Sequence, residues 1–212
     1  MLFDLDGTLV DTVATRIESW LDALAASGFP TTRERLAPLI GVDGRRLARE
    51  IAALAGVALE DDAADRIDRD SGARYDRLNI APRALPGVGD VIEALEARRI
   101  AWVIATSSRK EQVMTSVRTL GLAQEPQIVD ASRVEHAKPE PDLLLLAAQQ
   151  LRIEPAYCWY VGDSTWDMAA AVAAGMIPIG VTAGSAVDDA ALRGAGAAVV
   201  VGDLGELVLA LG

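Results

Sequence analysis

The amino-acid sequence predicts an α/β protein with a Rossmann-like, doubly wound parallel sheet as its core and an all-α helical cap domain inserted into it. From Pro86 onward, helical patterns alternate with short apolar runs, a rhythm typical of right-handed βαβ units. Two of these runs, AWVIA and CWYVG, are almost entirely apolar, as expected for strands buried on both faces of a parallel sheet. Between Asp11 and Leu85 the pattern changes to helices, with no convincing strand.

The elements of the core follow from apolar spacing and from the turn residues that flank each run. A very short apolar run ends at Asp4 and predicts a short first strand. Later strands are predicted at 101–105, 127–129, 158–161 and 177–181, with a further apolar run at 197–201. Helices are predicted between them at 88–98, 110–120, 142–151 and 166–174.

The insertion is predicted to contain four helices separated by glycine and proline turns. They cover 12–27, 33–39, 45–54 and 61–78, and Pro82, Pro86 and Gly87 mark the return to the core. We therefore predict a core domain of residues 1–11 and 82–212 and a helical cap domain of residues 12–81.

The composition restricts the partners that this chain is expected to have. The 20 basic and 31 acidic residues give a net charge of −11, which argues against nucleic acid or an anionic membrane as the main partner. The single Cys158 excludes an internal disulfide and, with no basic and apolar leader, predicts a cytoplasmic protein. A small-molecule substrate is expected, bound by a monomer or a homodimer.

Residues suited to chemistry follow the predicted strands, where ligands bind in parallel α/β sheets. Asp4 and Asp6 follow the first strand and would share one space if that strand continued through them. Thr106 and Ser107 precede a helix and offer donors to an anion. Lys138, one of only two lysines, follows the third strand, and Asp163 and Asp167 follow the fourth.

Together these side chains predict a crevice for a metal ion and a phosphoryl group. Carboxylates suit a hard divalent cation such as Mg²⁺, while a hydroxyl group and an ammonium group suit phosphoryl oxygens. One aspartate could then attack phosphorus while a neighbouring carboxyl group protonates the leaving group.

The motifs FDLDGTLVDT, Thr106, Lys138 in KPEPD and VGDSTWDMAAAVAAGM resemble, in order, the four motifs of the haloacid dehalogenase superfamily. The resemblance is to its phosphoglycolate phosphatase-like and β-phosphoglucomutase-like branch, which carries a helical cap after the first motif. It covers nearly the whole chain and implies a phosphatase that hydrolyses small phosphorylated metabolites, of the phosphoglycolate or sugar phosphate class, through an aspartyl phosphate.

The resemblance also implies a role for each matching residue. Asp4 would be the nucleophile and Asp6 the general acid and base, with its backbone carbonyl on Mg²⁺. Thr106 and Lys138 would hold phosphoryl oxygens, and Ser107, in the hydroxyl run before the helix, is a further candidate for phosphate binding. Asp163 would ligate the metal, with Asp167 as a ligand or a support. The implied metal site thus comprises Asp4, Asp6, Asp163 and Asp167, and Gly7 would allow the turn behind the nucleophile.

A polar segment of the cap, GVDGRRLAR, is predicted to face this crevice. Gly41 and Gly44 would let it approach the core, and Arg45 could offer a forked donor to a second anionic or hydroxyl group of the substrate. This makes Arg45 a candidate substrate-binding residue.

Two alternative functions remain, a hexose-phosphate mutase and a signalling receiver, whereas two others disagree with the residues present. The second aspartate, Asp6, argues against a dehalogenase, and the lack of any lysine before Lys110 excludes a cap-lysine Schiff base. A hexose-phosphate mutase of the β-phosphoglucomutase type keeps the same residues and is the closest rival. From another class, a signalling receiver that accepts a phosphoryl group without turnover shares the acidic pocket, but it would lack the helical insertion.

Overall fold

A computed structural model describes residues 1–108 and 110–211. Its centre is a six-stranded, all-parallel sheet with the strand order β3-β2-β1-β4-β5-β6. This order reverses direction on either side of β1, so the predicted doubly wound parallel sheet is confirmed. The strands are β1 (Leu2–Phe3), β2 (Val103–Thr106), β3 (Ile128–Asp130), β4 (Trp159–Gly162), β5 (Ile177–Val181) and β6 (Val199–Val201).

Both faces of the sheet are covered because successive strand residues point to opposite sides. The helices of the sheet region are α5 (Val88–Ala97), α6 (Lys110–Thr119), α7 (Asp142–Leu151), α8 (Thr165–Ala173), α9 (Asp189–Gly194) and α10 (Leu204–Ala210). Phe3 and Ile104 pack in one apolar cluster with helices α5, α6 and α10, whereas Leu2, Val103 and Ala105 pack in the other with α7 and α8.

The segment between β1 and α5 is helical, as the sequence predicts, and it forms an apolar cluster of its own. Val13, Ile17, Trp20 and Leu24 recur every three or four residues, so they place one buried stripe of α1 against α4. The division into domains at residues 12 and 82 stays a prediction. The helices of this cap are α1 (Val13–Ala26), α2 (Arg33–Leu36), α3 (Gly44–Leu54) and α4 (Asp61–Leu78).

Among the described residues, one cap helix and two short helices of the sheet region differ most from the sequence-based expectation. The helix predicted at 33–39 ends at Leu36 and continues as a 3₁₀ turn, Ala37–Leu39, because Pro38 cannot donate a backbone hydrogen bond. The helices α9 and α10 were not predicted. They are six and seven residues long, too short for a periodic signal, and begin after the capping side chains of Asp188 and Asp203.

The first strand contains only two residues, but it is the central strand of the sheet. Its pairing continues one residue further, because the Asp4 N–H donates to the Val161 carbonyl at 2.8 Å. Asp4 is thereby fixed at the point where the strand order reverses. None of the described helices has the length and apolar content needed to span a membrane.

Candidate active site

A cavity of about 530 Å³ lies between the carboxyl ends of the strands and the cap helices. Asp167 does not line it and lies buried beneath it. The other sequence-predicted site residues all line this cavity: Asp4, Asp6, Arg45, Thr106, Ser107, Lys138 and Asp163. The structure therefore brings together residues that are up to 159 positions apart in the sequence, from Asp4 to Asp163.

Three buried carboxylates, from Asp4, Asp163 and Asp167, meet at the floor of the cavity. Each offers an oxygen atom, and these atoms lie within 4.8 Å of one another. Burial raises the pKa of Asp4 to about 7, with Lys138 opposing the rise and Asp167 adding to it. Burial and the neighbouring carboxylates also raise the pKa of Asp163. Such a cluster of hard oxygen donors fits a divalent cation, which would replace the protons.

The turn behind Asp4 depends on Gly7. Its φ angle of +81° lies in the left-handed region, and a Cβ atom there would lie 2.3 Å from Asp163 Oδ2. Any side chain would therefore collide with the acidic cluster. The prediction that Gly7 allows this turn is confirmed.

Lys138 is almost completely buried, with 1% of its surface exposed, and its ammonium group holds the acidic cluster together. Its Nζ donates to Asp4 Oδ1 at 2.6 Å, to Asp167 Oδ1 at 2.7 Å and to Tyr160 Oη at 2.8 Å. Burial alone would lower the pKa of Lys138, but Asp167 and Asp4 outweigh burial and raise the pKa. The lysine therefore carries a permanent positive charge beside Asp4.

Tyr160 belongs to this network and was not singled out by the sequence analysis. Its side chain is fully buried, and its hydroxyl group also lies 2.9 Å from Asp167 Oδ1 and 3.2 Å from the Ala105 carbonyl. The available signal was a polar-tipped aromatic residue in an otherwise apolar strand, three residues before Asp163. Such a hydroxyl group needs a buried partner.

Asp167 has both carboxylate oxygens engaged by protein donors. Its Oδ2 accepts from the Ser164 N–H at 3.0 Å and from Ser164 Oγ at 2.6 Å. The Asp167 N–H donates in turn to Ser164 Oγ at 3.1 Å, so the two residues form a capping box at the start of α8. Its Oδ1 accepts from Lys138 and Tyr160. Burial would raise the pKa of Asp167, but Lys138 and these hydrogen bonds lower it. This arrangement favours a supporting role for Asp167 over direct ligation.

The Asp6 carboxylate lies outside the three-carboxylate cluster and has a different environment from Asp4. Thr12 donates to Asp6 Oδ1 at 2.6 Å and Tyr75 donates to it at 3.1 Å. Arg16 donates to Asp6 Oδ2 at 3.0 Å, and the Ser108 hydroxyl donates to the same oxygen. Burial opposes ionisation, but Arg16 and these hydrogen bonds outweigh it and lower the pKa of Asp6.

Arg16 and Tyr75 are cap residues that the sequence analysis missed. The Arg16 guanidinium lies 3.6 Å from the centre of the Tyr75 ring and also donates to Ser108 Oγ and Gln112 Oε1. It therefore connects α1 and α4 of the cap with Asp6 and with α6. No motif in the sequence indicates that these helices meet at Asp6.

The hydroxyl residues after β2 lie in the cavity lining. Thr106 Oγ1 accepts from the Ser108 N–H at 3.1 Å. The Ser107 hydroxyl oxygen is buried and has no hydrogen-bond partner among the described residues. A buried hydroxyl without a partner is costly unless a ligand completes its hydrogen bonds, so this position fits an oxygen-rich anion.

Arg45 lines the cavity from the cap, but its guanidinium group is already paired. Its Nε lies 3.5 Å from Asp43 Oδ1 and 3.8 Å from Asp65 Oδ1, and half of the side chain is exposed. Arg45 is therefore present at the cavity without offering an uncompensated positive charge.

Comparison with known proteins identifies the family. The family model described as haloacid dehalogenase-like hydrolase matches residues 1–181. A probable phosphatase, IndB, from Dickeya dadantii is 31% identical, covering 98% of this chain and 91% of the relative. A beta-phosphoglucomutase from Bacillus subtilis is 28% identical, and the match covers 100% of this chain and 92% of that relative. The crystal structure of a hydrolase from Pseudomonas syringae is 32% identical, with a TM-score of 0.93 over 99% of this chain and 96% of that one. With the fold, the motif order and the acidic cluster in agreement, this chain belongs to the haloacid dehalogenase-like hydrolase family.

Proposed function

We propose that this protein is a Mg²⁺-dependent phosphatase that hydrolyses small phosphorylated metabolites through an aspartyl phosphate on Asp4. The observation that carries the proposal is the contrast between two carboxylates in one cavity. Asp4 lies in the acidic cluster and accepts a hydrogen bond from Lys138 at 2.6 Å, whereas Asp6 lies outside that cluster and accepts hydrogen bonds from cap side chains and from Ser108. Two titratable groups with environments this different are suited to different roles in one reaction.

In the first step, a carboxylate oxygen of Asp4 attacks phosphorus and forms an acyl phosphate bond. The ester P–O bond breaks, and the leaving oxygen takes a proton from Asp6. Lys138 supports this step because it fixes the Asp4 carboxylate through Oδ1 and leaves the second oxygen to attack.

In the second step, water attacks the phosphorus of the aspartyl phosphate while Asp6 accepts a proton from that water. The bond between Asp4 and phosphorus breaks, releasing inorganic phosphate. The lowered pKa of Asp6 suits this base role. Its acid role in the first step requires that the contact with Arg16 loosens, since the guanidinium group favours the ionised form.

Phosphoryl oxygens are held by the hydroxyl groups of Thr106 and Ser107. Ser107 is the better placed of the two, because its buried hydroxyl has no partner among the described side chains. The ammonium group of Lys138 contributes positive charge from beneath the cavity.

The residues proposed to hold Mg²⁺ are Asp4, Asp163 and the backbone carbonyl of Asp6, with Asp167 orienting Lys138 and the start of α8. When bound, the cation would neutralise negative charge on the phosphoryl group. The carboxylate donors favour a hard cation such as Mg²⁺, and haloacid dehalogenase phosphatases generally use a divalent metal.

A phosphate-release assay on p-nitrophenyl phosphate, with and without Mg²⁺, tests the proposal. We expect activity that is lost in EDTA and restored by Mg²⁺. Asp4→Asn should lower the turnover rate by at least about 10³-fold with the fold intact, since the nucleophile is lost. Asp90→Asn, the same change on the exposed face of α5, serves as the control and should leave the rate unchanged. Activity that survives chelation, or an Asp4→Asn enzyme with most of its rate, would refute the proposal.

A hexose-phosphate mutase is the second candidate, favoured by the similarity to the Bacillus subtilis beta-phosphoglucomutase. The two functions differ in whether the dephosphorylated substrate is released, so that water takes the phosphoryl group from Asp4, or is retained, so that the sugar takes it back. Phosphorus NMR of the protein with β-glucose 1-phosphate distinguishes them. Inorganic phosphate indicates a phosphatase, and glucose 6-phosphate indicates a mutase.

The family match gives no support to a signalling receiver. A cytoplasmic location and a monomeric or homodimeric state stay predictions.

A further inference from the structure

The segment that follows β5, residues 182–187, lies against the acidic cluster but has no part in the proposed reaction. We call this segment the β5 loop; its sequence is TAGSAV. It begins with a tight turn, in which the Ser185 N–H donates to the Thr182 carbonyl at 3.2 Å. Two residues of this turn, Gly184 and Ser185, contact the parts of the chain that carry Asp4 and Asp163.

The Ser185 hydroxyl group holds the backbone of Asp163. Its Oγ donates to the Asp163 carbonyl at 2.5 Å and accepts from the Val187 N–H at 3.0 Å. Because Val187 supplies a donor to the oxygen, the single hydroxyl proton is left for the Asp163 carbonyl. The β5 loop therefore orients this hydroxyl group through its own backbone.

This contact bears on Asp163 because that residue lies between two regular elements. The strand β4 ends at Gly162 and the helix α8 begins at Thr165. On the side-chain side, Thr8 Oγ1 donates to Asp163 Oδ1 at 3.2 Å. Asp163 is thus held at two points, its carboxylate by Thr8 and its backbone by Ser185. The direction of the backbone decides where the carboxylate points, as for other supports of a metal ligand.

Gly184 brings the same loop against the turn behind Asp4. A Cβ atom at Gly184 would lie 2.4 Å from the Gly7 carbonyl oxygen and 2.6 Å from Leu85 Cδ1. The backbones of Gly184 and Gly7 therefore pack directly on each other, which a side chain at residue 184 would prevent. One loop contacts both the turn behind Asp4 and the backbone of Asp163.

Resting on the proposed function, we propose that Ser185 is a positioning residue that orients Asp163 for Mg²⁺ binding. Ser185 does not line the cavity, so it acts through the Asp163 backbone and not on the substrate. Loss of its hydroxyl group should therefore weaken metal binding and leave the chemical step of the metal-loaded protein largely unchanged.

The variant Ser185→Ala tests this inference by calorimetric titration with Mg²⁺ in the absence of substrate. We expect the Kd for Mg²⁺ to rise about tenfold, the lower end of the effect of losing a support of a metal ligand. The Mg²⁺ concentration for half-maximal hydrolysis of p-nitrophenyl phosphate should rise by the same factor. At saturating Mg²⁺, kcat should stay within about twofold of the parent value.

A matched control is Ser19→Ala in the cap. Ser19 Oγ also donates to a backbone carbonyl, that of Thr15 at 2.7 Å, but this bond lies within α1. Its loss should leave the Kd for Mg²⁺ unchanged. The conservative variant Ser185→Thr keeps the hydroxyl group and should bind Mg²⁺ nearly as the parent does. An unchanged Kd in Ser185→Ala, or equal rises in Ser185→Ala and Ser185→Thr, would overturn the inference.

A second variant tests the loop without touching the hydroxyl group. Gly184→Ala forces the loop away from Gly7 and should also raise the Kd for Mg²⁺. Its control is Gly194→Ala, where an added Cβ atom meets no neighbour within 4 Å among the described residues. Equal Mg²⁺ binding by Gly184→Ala and Gly194→Ala would count against a positioning role of the β5 loop.

The failure of the inference can be told apart from the failure of the proposed function. A parent protein that needs Mg²⁺ for hydrolysis, together with a Ser185→Ala variant of unchanged Mg²⁺ affinity, would overturn the role of Ser185 and leave the phosphatase standing. A parent protein that binds no Mg²⁺ and hydrolyses p-nitrophenyl phosphate without it would overturn both.

Discussion

At the scale of single residues, the Tyr160 hydroxyl group connects three parts of the site. It accepts from Lys138, and its proton faces either Asp167 Oδ1 or the Ala105 carbonyl, at 2.9 and 3.2 Å. Because the side chain is fully buried, no water replaces these contacts if the hydroxyl group is lost. Tyr160 is therefore a positioning residue that acts through Lys138.

We expect Tyr160→Phe to lower the free energy of unfolding by about 1–3 kcal/mol, because it leaves buried polar groups without a partner. It should also lower kcat more than it raises KM, since Lys138 orients Asp4, the proposed nucleophile. Chemical denaturation and steady-state kinetics measure the two effects. The control is Tyr157→Phe, whose ring is 78% exposed and which should change stability by less than about 0.5 kcal/mol. A Tyr160→Phe enzyme as stable and as active as the parent would contradict this role.

At the scale of elements, helix α1 brings the cap to the candidate general acid and base. Arg16 contacts Asp6 and Ser108 of the core and stacks on Tyr75 of α4. Any movement of α1 relative to the sheet would therefore change the protonation of Asp6. The position of the cap and the acid–base state of the site are therefore coupled, and Arg16 contributes the positive charge in that coupling.

This coupling predicts the effect of Arg16→Met. The guanidinium group stabilises the ionised form of Asp6, so its removal should raise the pKa of Asp6, and the limb of the pH–rate profile that reports Asp6 should move to higher pH. We also expect kcat/KM to fall by about tenfold. Arg74→Met is the control, since Arg74 pairs with Asp70 and Asp22 within the cap. An unchanged pH profile in Arg16→Met would disprove the coupling.

At the scale of the whole molecule, the acidic cluster makes stability depend on pH and on metal together. The raised pKa values of Asp4 and Asp163 mean that the native protein keeps protons that the unfolded chain loses. The free energy of unfolding of the metal-free protein should therefore fall as the pH rises from the ordinary carboxyl range through about 7. Asp6 and Asp167 have lowered pKa values, so their ionised forms stabilise the native protein. This contribution to the free energy of unfolding is present above the ordinary carboxyl range and is lost as the pH falls below it.

On the proposed function, Mg²⁺ would bind the deprotonated cluster of the native state and not the unfolded chain, so it should restore this lost stability. We expect saturating Mg²⁺ to raise Tm by about 2–4 °C near pH 8 and by less than half of that near pH 6. Asp163→Asn should abolish the rise, whereas Asp6→Asn should keep most of it, since its backbone carbonyl remains. Thermal unfolding monitored by circular dichroism measures the shift. A rise independent of pH would show that the metal binds elsewhere.

The class of fold and most of the elements could be predicted from the sequence alone. Alternating apolar runs and helical patterns predicted the parallel sheet, and the bounds of α4, α7 and β5 agree residue for residue. Ordered strand-end residues predicted that Asp4, Asp6, Thr106, Lys138 and Asp163 line one cavity. These predictions succeed because residue spacing and the position of a strand end are properties of the local chain.

The pairing of charges within the site depends on packing between elements and could not be predicted from the sequence. Arg16 reaches Asp6 and Tyr160 reaches Lys138 through packing between elements far apart in the sequence. Arg45 is paired with Asp65 because α3 packs against α4. Burial raises the pKa of Asp4, whereas nearby donors lower that of Asp6 two positions later. The physical reason is that desolvation and charge pairing depend on three-dimensional neighbours, which residue type and spacing do not specify.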